Sequence, residues 1–362
     1  MDKIKVLFPF VGDTLGGSHI SALSLINSLP IERFEATILI HKKGKLSLYL
    51  DAKSIPYYID ESLRHLDEVS VVKKIYMSFF GLLKRRRFIQ KNGFDLVHTN
   101  DLRMHYTWVF PCLFSTSKHL WHQRTVSRRG VRLSIFSRKL VTITEFCRAS
   151  FPYFVSEHAE VVADPVSISA IPRRANHSFK GGAVKIAWVG NITKQKRLDT
   201  AINVIFYLKH TFPEVELLVF GETREPVFSE VKELIEEFGL QKNVTFMGVK
   251  TPIEKWLVQA DLLLATAENE GMGRTLIEAM LLGLPVVASD HGGHREVIDD
   301  GVTGVLIPLE DRHAYGKAIS SIFENSEYRN SIVGAAKNSV ETRYSTSRHV
   351  EKIISIYYKC LS

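Results

Sequence analysis

Cysteine is scarce in this chain of 362 residues: Cys112, Cys147 and Cys360 stand far apart, and no two share a Cys-x-x-Cys spacing. That excludes a disulfide framework and a thiolate metal site, and the three are expected to be reduced, partly buried thiols. Long apolar runs are missing too. Stretches such as residues 108–114 and 286–289 fall far short of the ~20 residues that cross a bilayer. The first residues run straight into a strand-like segment at 4–10, without the charged, apolar and small-residue zones of a signal peptide. The expected location is therefore the cytoplasm. No Gly-x4-Gly-Lys-Ser/Thr occurs, so the phosphate-cradling loop of kinases and ATPases is excluded. Short-period repeats and low-complexity tracts are also absent.

The composition, 45% hydrophobic and 24% charged, is that of a globular protein, and the length suits two domains. The net charge of +8 is uneven. Residues 1–175 hold 26 Lys and Arg against 15 Asp and Glu, and the remainder 21 against 24. A basic first half suits an anionic membrane, an acidic acceptor or nucleic acid, or is simply a solvated surface. Its dense runs are Lys84, Arg85, Arg86 and Arg87, and then Arg124, Arg128, Arg129, Arg132, Arg138 and Lys139.

Apolar strand-like runs alternate with amphipathic stretches. In the first half, strands are predicted at 4–10, 36–40, 96–98, 119–122 and 140–144, with helices at 18–29 and 71–89. Two prolines (Pro165 and Pro172), two glycines and little periodicity over 164–182 then mark a linker, bounded at 166–183. Alternation restarts at 184, with strands at 184–189, 216–220, 244–246, 262–265, 285–288 and 305–307. The helices between them are predicted at 198–210, 231–238, 253–259, 275–282 and 295–298, and two or three more finish the chain. The pattern predicts an α/β protein of two Rossmann-like, doubly wound parallel sheets facing across a deep cleft. The predicted domains are 1–165 and 184–345, with a final helix at 346–362 that crosses back to the first.

The strongest chemical signal lies between residues 265 and 304. A buried strand leads into Glu270, Gly271, Met272 and Gly273, then a helix beginning near Arg274 and Thr275 that carries Glu278, then another buried strand. The glycines allow close backbone approach, and the helix N-terminus suits a diphosphate. Glu270 is placed to accept sugar hydroxyls, and Glu278 to hold a ribose diol.

Glu270 and Glu278, with seven residues between them, resemble the Glu-x7-Glu motif of the retaining GT-B glycosyltransferases of family 4, the glycosyl transferases group 1. The likeness continues in register through Gly283, Pro285, Gly292, Gly293, Glu296, Asp300, Gly301 and Gly304. A second likeness runs from Val189 to Ala201, where the family has Gly-Arg followed by a lysine, both cations gripping the donor diphosphate. Lys196 stands at the lysine position, while Asn191 replaces the arginine. Arg197 and Arg274 are the candidates to compensate; without the surrounding pattern, Lys194, Lys196 and Arg197 would read as a solvated turn. Gly16 and Gly17 match a family loop over the donor phosphates, and on their own fit plain turn geometry equally well. His122, at a strand end, resembles a family histidine that reaches the transferred sugar. His98, Arg124 and Glu145 fall on the acceptor side.

The resemblance implies transfer of a hexose-type sugar, with retention, from a nucleotide-sugar, UDP-linked by preference, to a hydroxyl of a glycan or lipid-linked acceptor. It implies no cofactor and no metal: Asp-x-Asp, the metal anchor of the other major glycosyltransferase fold, occurs nowhere in the chain. His119-x-x-His122 and His291-x-x-His294 lack supporting ligands. A peripheral contact with an anionic membrane fits the basic run after Ile75, Tyr76, Phe79 and Phe80, which equally fits a core-facing helix with a basic end. The alternatives are a GT-B phosphorylase or nucleotide-sugar epimerase and, from another class, a basic nucleic-acid-binding protein. An isoelectric point of about 9.2 favours the last, but no stacking or groove-reading motif accompanies it, so no nucleic-acid partner is expected.

Overall fold

The computed structural model describes residues 2–63, 71–126, 131–166 and 184–362, with the side chains of 63, 71–80 and 131 left aside. The predicted linker beyond Val166, together with Arg128, Arg129 and the aromatic side chains at 76, 79 and 80, therefore lies outside the described residues. The chain divides into two compact units, Met1–Pro165 with Thr346–Ser362, and Val166–Ser345.

The first unit runs β1 (Ile4–Phe10), α1 (Gly17–Ser28), β2 (Phe34–Ile40), α2 (Lys45–Ala52), β3 (Tyr58–Ile59), α3 (Val71–Asn92), β4 (Leu96–Thr99), α4 (Leu102–Leu113), β5 (Lys118–Gln123), β6 (Lys139–Thr142), α5 (Glu145–Arg148), α6 (Tyr153–Ser156) and β7 (Ala159–Val161). Its seven strands are parallel, in the order β3-β2-β1-β4-β5-β6-β7. Helices on both faces bury the strands, so their side chains read as continuous apolar runs rather than alternating ones. β6 ends at Thr142, earlier than predicted, because Thr144 caps α5 by accepting a hydrogen bond from the Cys147 amide. All three cysteines are free and buried.

The second unit runs β8 (Lys185–Val189), α7 (Leu198–Leu208), β9 (Glu216–Phe220), α8 (Val227–Glu237), β10 (Val244–Gly248), α9 (Glu254–Leu257), β11 (Leu262–Ala265), α10 (Arg274–Leu281), β12 (Val286–Ser289), α11 (His294–Val297), β13 (Val305–Ile307), α12 (Arg312–Glu324) and α13 (Ser326–Arg343). Its sheet is parallel in the order β10-β9-β8-β11-β12-β13. α7 forms because Leu198, Ala201, Ile202, Ile205 and Leu208 recur on one face and are wholly buried against the sheet. The last helix, α14 (Thr346–Leu361), belongs to the first unit. Its Val350, Ile353, Ile356, Tyr357 and Cys360 join the core built on β1, β2, β4 and β5. Among the described residues no helix is long and apolar enough to cross a membrane.

Candidate functional site

In an open parallel sheet, ligands bind beyond the carboxyl ends of the strands where the strand order reverses. In the second unit that point lies between β8 and β11, and three segments converge there. The turn after β8 carries Gly190, Asn191 and Lys196; the loop after β11 runs from Thr266 to Gly273; the turn after β12 holds His291, Gly292 and Gly293. Thr266 ties the first two together. Its hydroxyl accepts from the Trp188 indole at 3.0 Å and donates to the Arg197 carbonyl at 2.7 Å. The Glu268 amide bonds the Gln195 carbonyl at 2.8 Å, and the Gln195 side-chain amide returns to the Asn269 carbonyl at 2.9 Å. On the other side the Gly293 amide holds the Glu270 carbonyl at 2.9 Å. A Cβ on Gly293 would sit 2.3 Å from the Gly271 carbonyl oxygen, so only glycine admits this contact. Gly273 starts α10 at φ +86°, where a side chain would be strained and would meet the His294 ring at 3.0 Å.

The charged groups are arranged in pairs on this frame. The Lys196 stem lies across Gly190, whose missing side chain leaves it room, and its ammonium reaches Glu270 Oε2 at 2.5 Å. Burial acts to raise the Glu270 carboxyl, but Lys196 outweighs it and holds the group below the ordinary carboxylate range. Glu278 sits one turn into α10, 3.5 Å from Arg274. There burial wins, and the Glu278 carboxyl is pushed up to about 7. Arg197 turns away to Asp199 at 3.3 Å and Glu310 at 3.0 Å. The Asn191 carboxamide oxygen accepts from the Glu222 amide at 3.2 Å. It fastens the turn and adds no charge.

His294 is buried under the Gly271–Gly273 segment, and burial lowers its pKa to about 4. Its tautomer follows from its neighbours. The Ser289 hydroxyl donates to the Ala267 carbonyl at 2.5 Å, which leaves its lone pairs, and the Ser289 carbonyl 3.2 Å away, as acceptors for His294 Nδ1. Nδ1 therefore carries the proton, and Nε2 is an acceptor.

In the first unit the order reverses between β1 and β4. Gly16 and Gly17 begin α1 there, with the Gly16 amide donating to His19 Nδ1 at 3.2 Å. Asp13, in the same loop, is gripped by both ends of the Arg103 guanidinium at 2.8 and 2.9 Å. The rings of His122 and His98 are both wholly buried, so whatever either residue offers a ligand comes from its backbone, as the family's histidine commonly does through its carbonyl. Arg124 donates to His122 Nδ1 at 3.3 Å, so that nitrogen accepts and His98 Nε2, 3.1 Å away, donates to it. His98 Nδ1 in turn accepts from the Tyr357 hydroxyl at 2.7 Å. Arg124 is 1% exposed, forms an ion pair with Asp164 and donates twice to Asn100. Its acceptor-side role is corrected to an internal tie, since its guanidinium is turned inward to protein partners. Glu145, on the exposed first turn of α5, pairs with Arg148 at 2.6 Å. In the basic run of α3, Arg85 is 4% exposed, its guanidinium lying over Gly81, so that run is not a uniformly solvated face.

Residues 172–339 match the profile of the family described as glycosyl transferases group 1. That match takes in most of the second unit. The chain is 27% identical over 173 residues to the N-acetyl-alpha-D-glucosaminyl L-malate synthase of Bacillus anthracis, covering 48% of this chain and 45% of that one. It thus spans about half the length of several curated relatives it matches. A second relative matches from end to end. The UDP-Gal:alpha-D-GlcNAc-diphosphoundecaprenol alpha-1,3-galactosyltransferase of Escherichia coli is 21% identical over 392 residues, with 98% and 97% covered. Among solved structures, HepE of Anabaena in complex with UDP and glucose superposes with a TM-score of 0.80 at 17% identity, covering 98% of this chain and 99% of that one. A glycosyltransferase from Rickettsia africae gives 0.83 at 19% identity over the whole of both chains. The fold is GT-B.

Within the matched segment, Lys196, Glu270, Gly271, Met272, Gly273, Arg274, Thr275 and Glu278 come together at one switch point, with Asn191 on the adjoining turn, while the Arg197 side chain points away to Asp199 and Glu310. Two contributors escaped the sequence reading, Thr266 and His294. The signal for His294 was its place directly after Gly292 and Gly293, in the turn that follows a buried strand. Among the described residues no group of three or more His, Cys, Asp or Glu side chains is arranged to hold a metal ion.

Proposed function

We propose that the protein is a retaining glycosyltransferase that moves a hexose-type sugar from a nucleoside-diphosphate sugar to a hydroxyl of a glycan or lipid-linked acceptor in cell-surface glycan synthesis. The observation that carries the reading is the Lys196–Glu270 pair beside the N-terminus of α10, at the switch point of the second unit. Cation and helix dipole suit a diphosphate, and the carboxylate suits sugar hydroxyls. UDP is the favoured nucleotide, since the Escherichia coli relative is named for UDP-Gal and the Anabaena structure holds UDP. The basic first unit takes the acceptor, from the cytoplasm and in peripheral contact with an anionic membrane.

In the step proposed, the acceptor oxygen bonds to the anomeric carbon on the face from which the phosphate oxygen leaves. The acceptor proton passes to that leaving oxygen, giving a glycoside of retained configuration and a nucleoside diphosphate. Lys196 and the first amides of α10 stabilise the charge gathering on the diphosphate, so that no metal is called for. Glu270 orients the sugar, and Glu278 holds the ribose.

Calorimetric titration with UDP, GDP and their sugar conjugates, with and without EDTA, tests the site. Metal-independent binding of one nucleotide family is expected, with Glu270→Ala losing turnover far more than nucleotide affinity. Wild-type turnover in that variant, or no nucleotide binding at all, would overturn the reading.

A further inference from the structure

Lys196 and Glu270, given separate tasks by that reading, are each other's counterion in the free protein. Both remain partly open, at 28% and 22% exposure, so a ligand in solution can reach them. The neighbouring cations are committed elsewhere: Arg197 to Asp199 and Glu310, Arg274 to Glu278. Asn191 contributes no charge. The Glu270 carboxylate therefore occupies, on Lys196 and beside the first turn of α10, the place a ligand phosphate would take.

We infer that Glu270 is a built-in competitor for Lys196, and that the donor's diphosphate takes Lys196 from it, so that donor binding itself frees Glu270 for the sugar. The inference rests on the donor-site reading above and adds an order of events to it. A diphosphate brings more charge than one carboxylate and also accepts from the α10 amides, so it wins the lysine. The displaced carboxylate keeps its hydrogen bond from the Gly271 amide and stays beside the loop. His294 does not replace the lysine, because its proton is on Nδ1, held by Ser289, and Nε2 is an acceptor. Glu270 is then left with the Gly271 amide alone, and His294 Nε2 beside it is an acceptor, so the hydroxyls of the transferred sugar fit as donors to both. A diphosphate without its sugar takes the lysine from Glu270 and supplies no hydroxyl donor in its place. The site consequently favours the complete nucleotide-sugar over the nucleoside diphosphate it releases.

The experiment is calorimetry with inorganic pyrophosphate, UDP and UDP-glucose on the wild type, Glu270→Gln, Lys196→Met and the double variant. Removing the competitor should tighten pyrophosphate and UDP about fivefold, the equivalent of about 1 kcal/mol for a partly exposed ion pair. The preference for UDP-glucose over UDP should shrink in the same variant. In the Lys196→Met background the Glu270 substitution should give no gain. An equal gain there would mean general removal of negative charge and would overturn the inference, as would unchanged or weaker UDP binding in Glu270→Gln alone. If Glu270→Gln fails to fold, Glu270→Ala, which removes the carboxylate outright, should show the same tightening. UDP binding that ignores Glu270 sinks this inference and leaves the donor site standing; absence of all nucleotide and pyrophosphate binding sinks both.

Discussion

Glu278 gives the sharpest test because its environment and its proposed task pull in opposite directions. Its carboxyl is 14% exposed, and burial raises it from 4.5 to about 7 despite Arg274 at 3.5 Å. That displacement is worth roughly 3 kcal/mol between the two protonation states. The sign follows from the raised folded value. Below about 4.5 both folded and unfolded chains hold the proton. As pH climbs from there to about 7 the unfolded chain releases it first, so this group's share of stability falls across that window and is level above it. Binding has the opposite slope, since the carboxylate is the form that accepts from a ribose diol. With a midpoint of 7 the ionised fraction rises about tenfold from pH 6 to pH 8, and apparent affinity rises with it. UDP titrates in the same range, so the comparison is with Glu278→Gln, in which the diphosphate's own titration is retained and the carboxylate is gone. The wild-type-to-variant affinity ratio for UDP should grow about tenfold over that interval. A carbon-13 NMR titration of the side chain reads the midpoint directly. A carboxyl that titrates near 4.5, or a ratio that ignores pH, would refute the reasoning.

Two further outcomes are expected. Gly293→Ala places a methyl 2.3 Å from the Gly271 carbonyl and 2.7 Å from Met272 Cα, both backbone; it should cost about 1–3 kcal/mol of stability and weaken UDP binding at least about tenfold, read by thermal unfolding and calorimetry. Asp164→Leu strips the buried Arg124 of its carboxylate and should destabilise the first unit by about 3–5 kcal/mol in denaturant unfolding, with most of that loss recovered when Arg124→Met is added.

The two alternating halves could be read from the sequence because strands covered on both faces are apolar throughout, and because the glycine loop, its glutamates and the helix behind them are contiguous in the chain. α4 could not. Met104, His105, Thr107, Trp108, Val109, Pro111 and Cys112 are all buried, so the helix shows no polar face and no 3.6-residue period, and Pro111 argues against a helix outright. β3 and β7, of two and three residues, are too short to carry a pattern. The inward ties were hidden by separation along the chain. Nothing near Arg124 in sequence announces Asp164, and His98 meets Tyr357 across 259 positions. Arg124 therefore read as an acceptor-side member of a dense basic run, and the sequence could not say which partners hold the His98 and His122 rings.

The two units use the same architecture differently, and the difference lies in which charges can be exchanged. At the strand ends of the first unit, Arg124 is 1% exposed and its donors are spent on Asp164, Asn100 and His122. A ligand would have to break a buried ion pair to recruit it, which costs more than one new contact returns. At the switch point of the second unit, Lys196 has a single carboxylate partner in partly exposed surroundings, where trading one anion for another costs little. The loop that carries this pair is meanwhile held rigid by neutral hydrogen bonds from Thr266, Gln195 and Gly293. A fixed frame with one exchangeable ion pair is what selective anion binding requires. At the strand ends of the first unit the accessible ion pairs among the described residues are Asp13–Arg103, next to Gly16, and Glu145–Arg148, after β6.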